Sequence, residues 1–256
     1  MGVNMLIKIE KDRRLIDTNA LKTINSGVDG TVYSFEGEAL KLSDSMYMTR
    51  EKVKDLRQAV PDNSNCRIVV PRRMVIDPSK NYSLKYKPII GYTQRLLLEN
   101  PNGIRFMTPD EYFNEFSIIE RQTLDFLSNN QIALMDTNPN NILANWDDDT
   151  KLFLIDHDRD ITASSTFMEH QKIINSDYLN HNQKKLAVIM YKVILLQLLK
   201  IQGIGNSISS NRKVDKYIEQ EAQRNDLTFS TTEQALDGYS SIDEYAKDTL
   251  KKIKKR

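Results

Sequence analysis

Leu134 to Asp158 reads LMDTNPNNILANWDDDTKLFLIDHD. Two short apolar runs, Ile142-Leu143-Ala144 and Leu152-Phe153-Leu154-Ile155, flank an acidic turn at Asp147, Asp148 and Asp149, a pattern that predicts a β-hairpin. Antiparallel pairing brings the residue entering the first strand and the residue leaving the second to one end. Those residues are Asn141 and Asp156, and Asp136 stands five positions ahead of Asn141. Asn141 and Asp156 offer hard oxygen ligands to one divalent cation, and Mg²⁺ suits ligands that leave room for water and phosphate. Turn chemistry by itself also favours Asp and Asn at such places, so these residues alone do not separate a metal site from an acidic hairpin.

Ahead of the hairpin, Leu21 to Ser43 reads LKTINSGVDGTVYSFEGEALKLS. Thr31 to Phe35 alternates as a strand, Glu36-Gly37-Glu38 makes a turn, and Ala39 to Leu42 continues as a second strand. Gly27 and Gly30 precede them in a turn where the missing side chains let backbone N–H groups approach a phosphate. Lys41 lies in an apolar strand and needs a charge partner or solvent. A helix is expected at about 49–60, with Glu51 and Asp55 one turn apart as candidate partners, and Glu51 is the choice. Two further strands are expected at about 67–76 and 82–86, and one short strand near the start at Met5-Leu6-Ile7.

Beyond these, Thr108 is the expected cap of a helix that begins at Pro109. Its apolar face is Tyr112, Phe113, Phe116, Ile119, Leu124 and Leu127. Asn182 to Lys200, NQKKLAVIMYKVILLQLLK, is the most apolar stretch and reads as a core helix. Further helices are expected near 214–224 and 241–253.

Composition excludes several classes. The 256 residues suit one large domain or two modest lobes. With 36 basic and 35 acidic residues the net charge is +1, which provides no field to attract nucleic acid. The single cysteine, Cys66, rules out an internal disulfide framework and fits a reducing compartment. No apolar run approaches the roughly 20 residues that span a bilayer, and MGVNMLIKIEKDRR lacks a signal-peptide core. The basic end, Lys251 to Arg256, reads as a solvated tail. The expectation is a soluble cytoplasmic protein with neither a nucleic-acid nor a membrane partner.

From about Asn25 to Lys200 the order of these motifs resembles the protein kinase-like superfamily. There, H-R-D-x-x-x-x-N precedes D-F-G, and a Gly-rich loop precedes a strand lysine. The resemblance implies an α+β, bilobal fold, with a β-rich N-lobe of residues 1–87 (five strands and one helix) and a larger helical C-lobe of residues 88–256. It implies ATP and Mg²⁺ as ligands. Lys41 would reach the α- and β-phosphates with Glu51 orienting it, and Gly27, Gly30 and Val32 would cover the nucleotide. Pro88 to Gly91 would form the hinge, with Leu84 at the gatekeeper position and Tyr86 within the backbone stretch that meets adenine. Asn141 and Asp156 would hold the metal, and Asp136 would orient the acceptor hydroxyl. Asn25 departs from the first glycine of the loop, Leu134-Met135 from His-Arg, Asn138 from the usual Lys, and His157-Asp158 from Phe-Gly. Asn182 stands where the large-lobe helix usually carries Asp.

The implied reaction is transfer of the γ-phosphoryl of ATP to a hydroxyl, with Ser or Thr of a protein as the first-choice acceptor. Asp156-His157-Asp158 is similar to the D-x-E/D of aminoglycoside- and choline-type kinases, and no Ala-Pro-Glu motif follows; both favour a small-molecule acceptor. The substituted Leu134, Met135 and Asn138 point to a third class, a pseudokinase that binds nucleotide as a regulatory module. The short segment 161–181 predicts activity that does not depend on phosphorylation there.

Overall fold

The computed structural model describes residues 5–27, 30–43, 48–79, 89–97, 99–100, 102–145, 151–173, 177–201 and 228–254. Within them strands dominate the first part of the chain and helices the second. The strands are β1 (Leu6–Ile9), β2 (Ile16–Asp17), β3 (Lys22–Gly27), β4 (Gly30–Phe35), β5 (Glu38–Leu42), β6 (Arg73–Ile76) and β7 (Gly91–Arg95). They form one curled antiparallel sheet in the order β2-β1-β6-β7-β5-β4-β3. A second, two-stranded sheet pairs β8 (Ile142–Ala144) with β9 (Leu152–Leu154).

Local chemistry accounts for the elements that sequence reasoning located. Between β4 and β5, Glu36 and Gly37 take φ of 48° and 80°, the two left-handed residues of a tight hairpin turn. Helix α1 (Arg50–Ala59) starts at Thr49, whose hydroxyl accepts from the Lys52 N–H. Helix α2 (Pro109–Gln122) has a full capping box of Thr108 and Glu111 with Pro109 in its first turn. It continues through a π-helical turn at Thr123–Leu127. A short helix α3 (Phe167–His170) precedes the long α4 (Tyr178–Ile201); α5 (Phe229–Leu236) and α6 (Ile242–Lys254) follow.

The main core is shared between sheet and helices. Val53 and Leu56 of α1, Met74 and Tyr92 of the sheet, Tyr112, Phe116 and Ile119 of α2, Leu152 and Leu154 of β9, and Leu186 and Ile189 of α4 form one buried cluster. Each fully buried large side chain contributes roughly 1.5–3 kcal/mol. On the other face of the sheet Ile7, Ile9, Tyr33, Phe35, Leu40 and Val75 form a smaller cluster. Because side chains alternate along a strand, Leu40 in the outer cluster turns Lys41 toward the helical half. Its cross-strand neighbour Tyr92 belongs to the inner core.

The structure corrects three expectations about the first half. Among the described residues the sheet has seven strands rather than five: β2 and β3 form where no strand is expected, and β7 follows residue 87. Of the strand expected at 67–76 only Arg73–Ile76 forms, because the chain ahead of it docks on β9 instead, through an Ile68–Leu154 bridge. At the expected hinge, Gly91 instead begins strand β7 and pairs with Leu42 and Val75, so sheet residues reach Arg95, beyond the expected lobe boundary at 87; Pro88 lies outside the described residues. Glycine is needed at 91, as a Cβ there would stand 2.1 Å from the Lys41 carbonyl oxygen. The strand expected at 82–86, with Leu84 and Tyr86, lies outside the described residues, as does the helix expected near 214–224.

Candidate functional site

Three charged side chains meet where the inner face of the sheet approaches the β8–β9 hairpin. The Lys41 ammonium donates to Asp156 Oδ1 at 2.6 Å and pairs with Asp158 Oδ2 at 2.9 Å. Lys41 and Asp158 are 8% and 5% exposed, so these charges interact with little help from water. Burial alone would push the Lys41 amine down, but the charges of Asp158 and Asp156 outweigh it and hold it above its usual range. Burial, with the neighbouring Asp156 charge, pushes the Asp158 carboxyl up despite Lys41. Asp158 Oδ1 is buried and has no hydrogen-bond partner. Tyr92 walls this cluster, its ring 5.9 Å from the Lys41 nitrogen, and its hydroxyl is pushed well up by burial and by Asp158.

Asp156 reaches this position through an unfavourable backbone conformation. Its φ is 64°, a left-handed setting that a non-glycine residue adopts at a cost of order 1–3 kcal/mol. The hairpin holds it there: Ile142 pairs with Leu154, and the Ile155 N–H donates to the Asn141 carbonyl at 2.8 Å. Asn141 is buried at 5% exposure and ends a 3₁₀ turn, Pro139–Asn141, capped by the Asn138 side chain. Asn141 and Asp156 therefore lie at one end of the hairpin, as the spacing predicts.

The loop that bears Asp136 is braced from two sides. Ala133 and Ile161 exchange backbone hydrogen bonds at 2.8 and 3.0 Å, which ties the loop to the segment after Asp156. Asp160 accepts from the Met135 N–H at 3.1 Å and contacts His157 Nδ1 at 2.6 Å. From α4, Asn182 accepts from the Leu134 N–H and donates to the Ile132 carbonyl, and His181 contacts the Leu134 carbonyl. Asn182 is 0% exposed, so a residue of a core helix acts as the loop's internal clamp. The Asp136 carboxylate accepts from the Asn138 N–H at 2.9 Å.

Gly27 and Gly30 pair at the tip of β3 and β4, and Val32 lies opposite Lys41 in the register. Gly30 has φ of 137°, and a Cβ there would stand 2.0 Å from the Leu42 carbonyl oxygen, so no other residue fits. A cleft of about 260 Å³ opens beside the hairpin; among its lining residues are Asn25 of β3, Glu99 and Asn100 after β7, Asn140, Leu143 and Gln197. A shallower cleft of about 650 Å³ lies elsewhere, between the start of α2 and the α5–α6 connection.

The structure does not join Glu51 to Lys41. Glu51 stands in the first turn of α1, the ion-pair partners of Lys41 are Asp156 and Asp158, and Asp55, the other candidate, accepts from the Ser164 N–H at 3.0 Å. The inward residue of that turn is Lys52, 3% exposed and paired with Glu169 of α3 at 3.3 Å. Sequence reasoning did not assign Asp158 to Lys41, nor find Tyr92 or Asp160. Its one available signal was the acidic residue two places after Asp156.

The side-chain oxygens of Asn141, Asp156 and Asp158 suit a hard cation that keeps part of its water shell. The unpartnered Asp158 Oδ1 leaves acceptor capacity for it. Among the described residues no group of three or more His, Cys, Asp or Glu side chains is arranged to hold a metal. The fit rests on two carboxylates and an amide. No family model matches the sequence, and no curated protein matches it.

Proposed function

We propose that this chain is an ATP-dependent phosphotransferase with a bilobal kinase-like fold, which moves the γ-phosphoryl group to a hydroxyl. The observation that carries the reading is the convergence of Lys41 with Asp156, 115 residues away, and with Asp158. A lone structural lysine needs one carboxylate; two leave excess negative charge that a divalent cation and a cationic side chain together neutralise. The succession β3-β4-β5, α1, β6 and β7, with the paired glycines at the tip of the first hairpin, supports the same reading.

In this reading Lys41 binds the α- and β-phosphates and the Gly27–Gly30 tip lies over them. Asn141 and Asp156, helped by Asp158, hold Mg²⁺, which when bound screens the charge of the phosphates. Asp136 orients the acceptor hydroxyl and takes its proton as the hydroxyl oxygen bonds to the γ-phosphorus and the bond to the ADP oxygen breaks. Such catalysis is positioning and charge neutralisation. A protein Ser or Thr remains the first acceptor to test. Asp158 favours a small alcohol as the second reading, because the second acidic residue takes part in the cluster itself.

Incubation with γ-labelled ATP, a generic protein acceptor and small alcohols tests the proposal. Labelled product is expected from one of them, and Asp136→Asn should lower turnover by about 10²–10⁴-fold, the usual contribution of a positioned base. Its Mg²⁺-ATP affinity should stay near wild type, since the loss lies in the transition state. Nucleotide binding without transfer to any acceptor or to the chain itself would instead favour a pseudokinase.

A further inference from the structure

Helix α4 turns two lysines toward the Asp136 loop. Lys185 and Lys192 are seven residues apart, two helical turns or about 10.5 Å along the axis, and so share a face with Asn182 and Ile189. Asn182 and Ile189 are each 0% exposed, and Asn182 clamps the loop. At the second lysine the Lys192 ammonium donates to Thr137 Oγ1 at 3.0 Å, directly beside Asp136 in the chain.

Lysine stems often cover apolar surface while the ammonium reaches water. Here the Lys192 nitrogen is spent on a neutral hydroxyl, and Lys185 is half-buried, lying within electrostatic reach of both Lys192 and Asp136. Burial, reinforced by the Lys192 charge, pushes the Lys185 amine down, and Asp136 offsets that only in part. Among the described residues neither ammonium forms an ion pair with a carboxylate, so two partly desolvated cations share the field of one aspartate. Like charges held together in this way are relieved by an added anion.

We propose that Lys185 and Lys192 form an anion subsite beside Asp136, so that the acceptor hydroxyl belongs to a molecule that also carries a phosphate or carboxylate group. The word acceptor rests on the phosphotransfer reading; the anion subsite rests on α4 and the loop alone. Lysine suits this role as a mobile point charge that reaches either anion. Asp136 then meets the hydroxyl while the lysines hold the far end of the same molecule, which makes the pair a determinant of acceptor specificity.

Calorimetric titration with glycerol 3-phosphate, glycerate and glycerol tests the assignment. At least one of the two anionic probes is expected to bind, and the stronger identifies the preferred group; glycerol should give no signal. The double change Lys185→Met with Lys192→Met should weaken the anion at least tenfold, whereas Lys185→Arg with Lys192→Arg should retain it and so exclude a mere packing effect. Lys41→Met should leave anion binding in place, which separates this subsite from the nucleotide phosphates. No anion binding in wild type, or equal affinity in the Met double variant, overturns the proposal even if Mg²⁺-ATP binds and is turned over. Anion binding that follows the lysines in a chain that does not bind Mg²⁺-ATP upholds the subsite and removes the phosphotransfer reading instead.

Discussion

Two ionic clusters are buried between the sheet and the helices, and they are built in opposite ways. In the first, Arg67 meets Glu115 of α2 through its Nε at 3.1 Å and its terminal nitrogen at 3.4 Å. Glu115 also accepts from the Leu152 N–H, the Arg67 carbonyl accepts from the Leu154 N–H, and the Arg67 guanidinium lies over the Phe153 ring. Every member has a partner, and the whole fastens the chain before β6 and helix α2 to β9. In the second, Lys41 faces two carboxylates, Asp156 sits in a left-handed conformation, and Asp158 Oδ1 is unpartnered. One cluster balances charge and satisfies its hydrogen bonds; the other, just past the end of β9, leaves surplus negative charge and backbone strain. Surplus of that kind is tolerated where a ligand is meant to complete it.

The largest test of this contrast is Glu115→Ala. It leaves the Arg67 charge and the Leu152 N–H without partners, and breaking a buried pair costs about 3–5 kcal/mol. Denaturant unfolding should show that loss, the same with and without Mg²⁺-ATP; a change below about 1 kcal/mol would mean that the pair is no fastening.

Next is Mg²⁺-ATP itself. A ligand present at a hundredfold excess over its Kd and bound only by the folded chain stabilises it by about 2.7 kcal/mol. The thermal midpoint should rise accordingly in wild type, and Asp156→Ala should lose the metal-dependent part. An unchanged midpoint across millimolar Mg²⁺-ATP would remove the contrast on which the functional reading depends.

A smaller effect, of opposite sign, is expected from Asp158→Asn in the ligand-free chain. Because burial and Asp156 raise the Asp158 carboxyl, the folded state binds that proton more tightly than the unfolded state. Stability from this group is therefore lost as pH rises from the ordinary 3.8 through the raised value. The variant should gain roughly 0.5–2 kcal/mol above that window, the range of single stabilising changes. Its advantage over wild type should shrink as pH falls through the window. Carboxyls held below their usual range, such as Asp243 beside Lys247 and Arg105, act in the opposite direction but cancel in the difference. A variant less stable than wild type at neutral pH would show that Asp158 is a structural ligand of Lys41.

The smallest effect concerns the segment after Asp158. Thr162 is buried, with its N–H bonded to the Ser165 hydroxyl, and Ser164 is tied through its backbone to Asp55. Replacing Thr162, Ser164, Ser165 and Thr166 together by Ala should change phosphoryl transfer only a few-fold. A large loss that Asp or Glu at those positions restores would point to a phosphorylation switch.

Much of this architecture is legible from short-range chemistry. The acidic turn between apolar runs predicts the hairpin that sets Asn141 beside the Asp156 end. Glu36-Gly37 predicts the β4–β5 turn, Thr108-Pro109 predicts the start of α2, and the long apolar stretch predicts α4. These signals lie within a few residues of the element they specify, as turns, caps and amphipathic faces do. The pairing of Glu51 with Lys41 and the hinge at 88–91 are not met for a shared reason: each places a long-range neighbour by counting along the chain. Gly91 is a sheet residue because β7 fits between β5 and β6, and nothing near it in sequence encodes that.

Taken alone, then, the amino-acid order determined the β4–β5 and β8–β9 hairpins, the helices α1, α2, α4 and α6, and the polar residues that stand at their ends. It also determined that Asp136, Asn141 and Asp156 share one loop and hairpin. Tertiary structure alone decided that Lys41 faces Asp156 and Asp158 rather than Glu51, that Asn182 and Asp160 brace the loop, and that Lys185 and Lys192 point to it. The physical reason is that such contacts depend on strand register and helix docking across long separations. A one-residue slip turns a side chain to the opposite face of the sheet, and no local propensity records which face its partner will occupy.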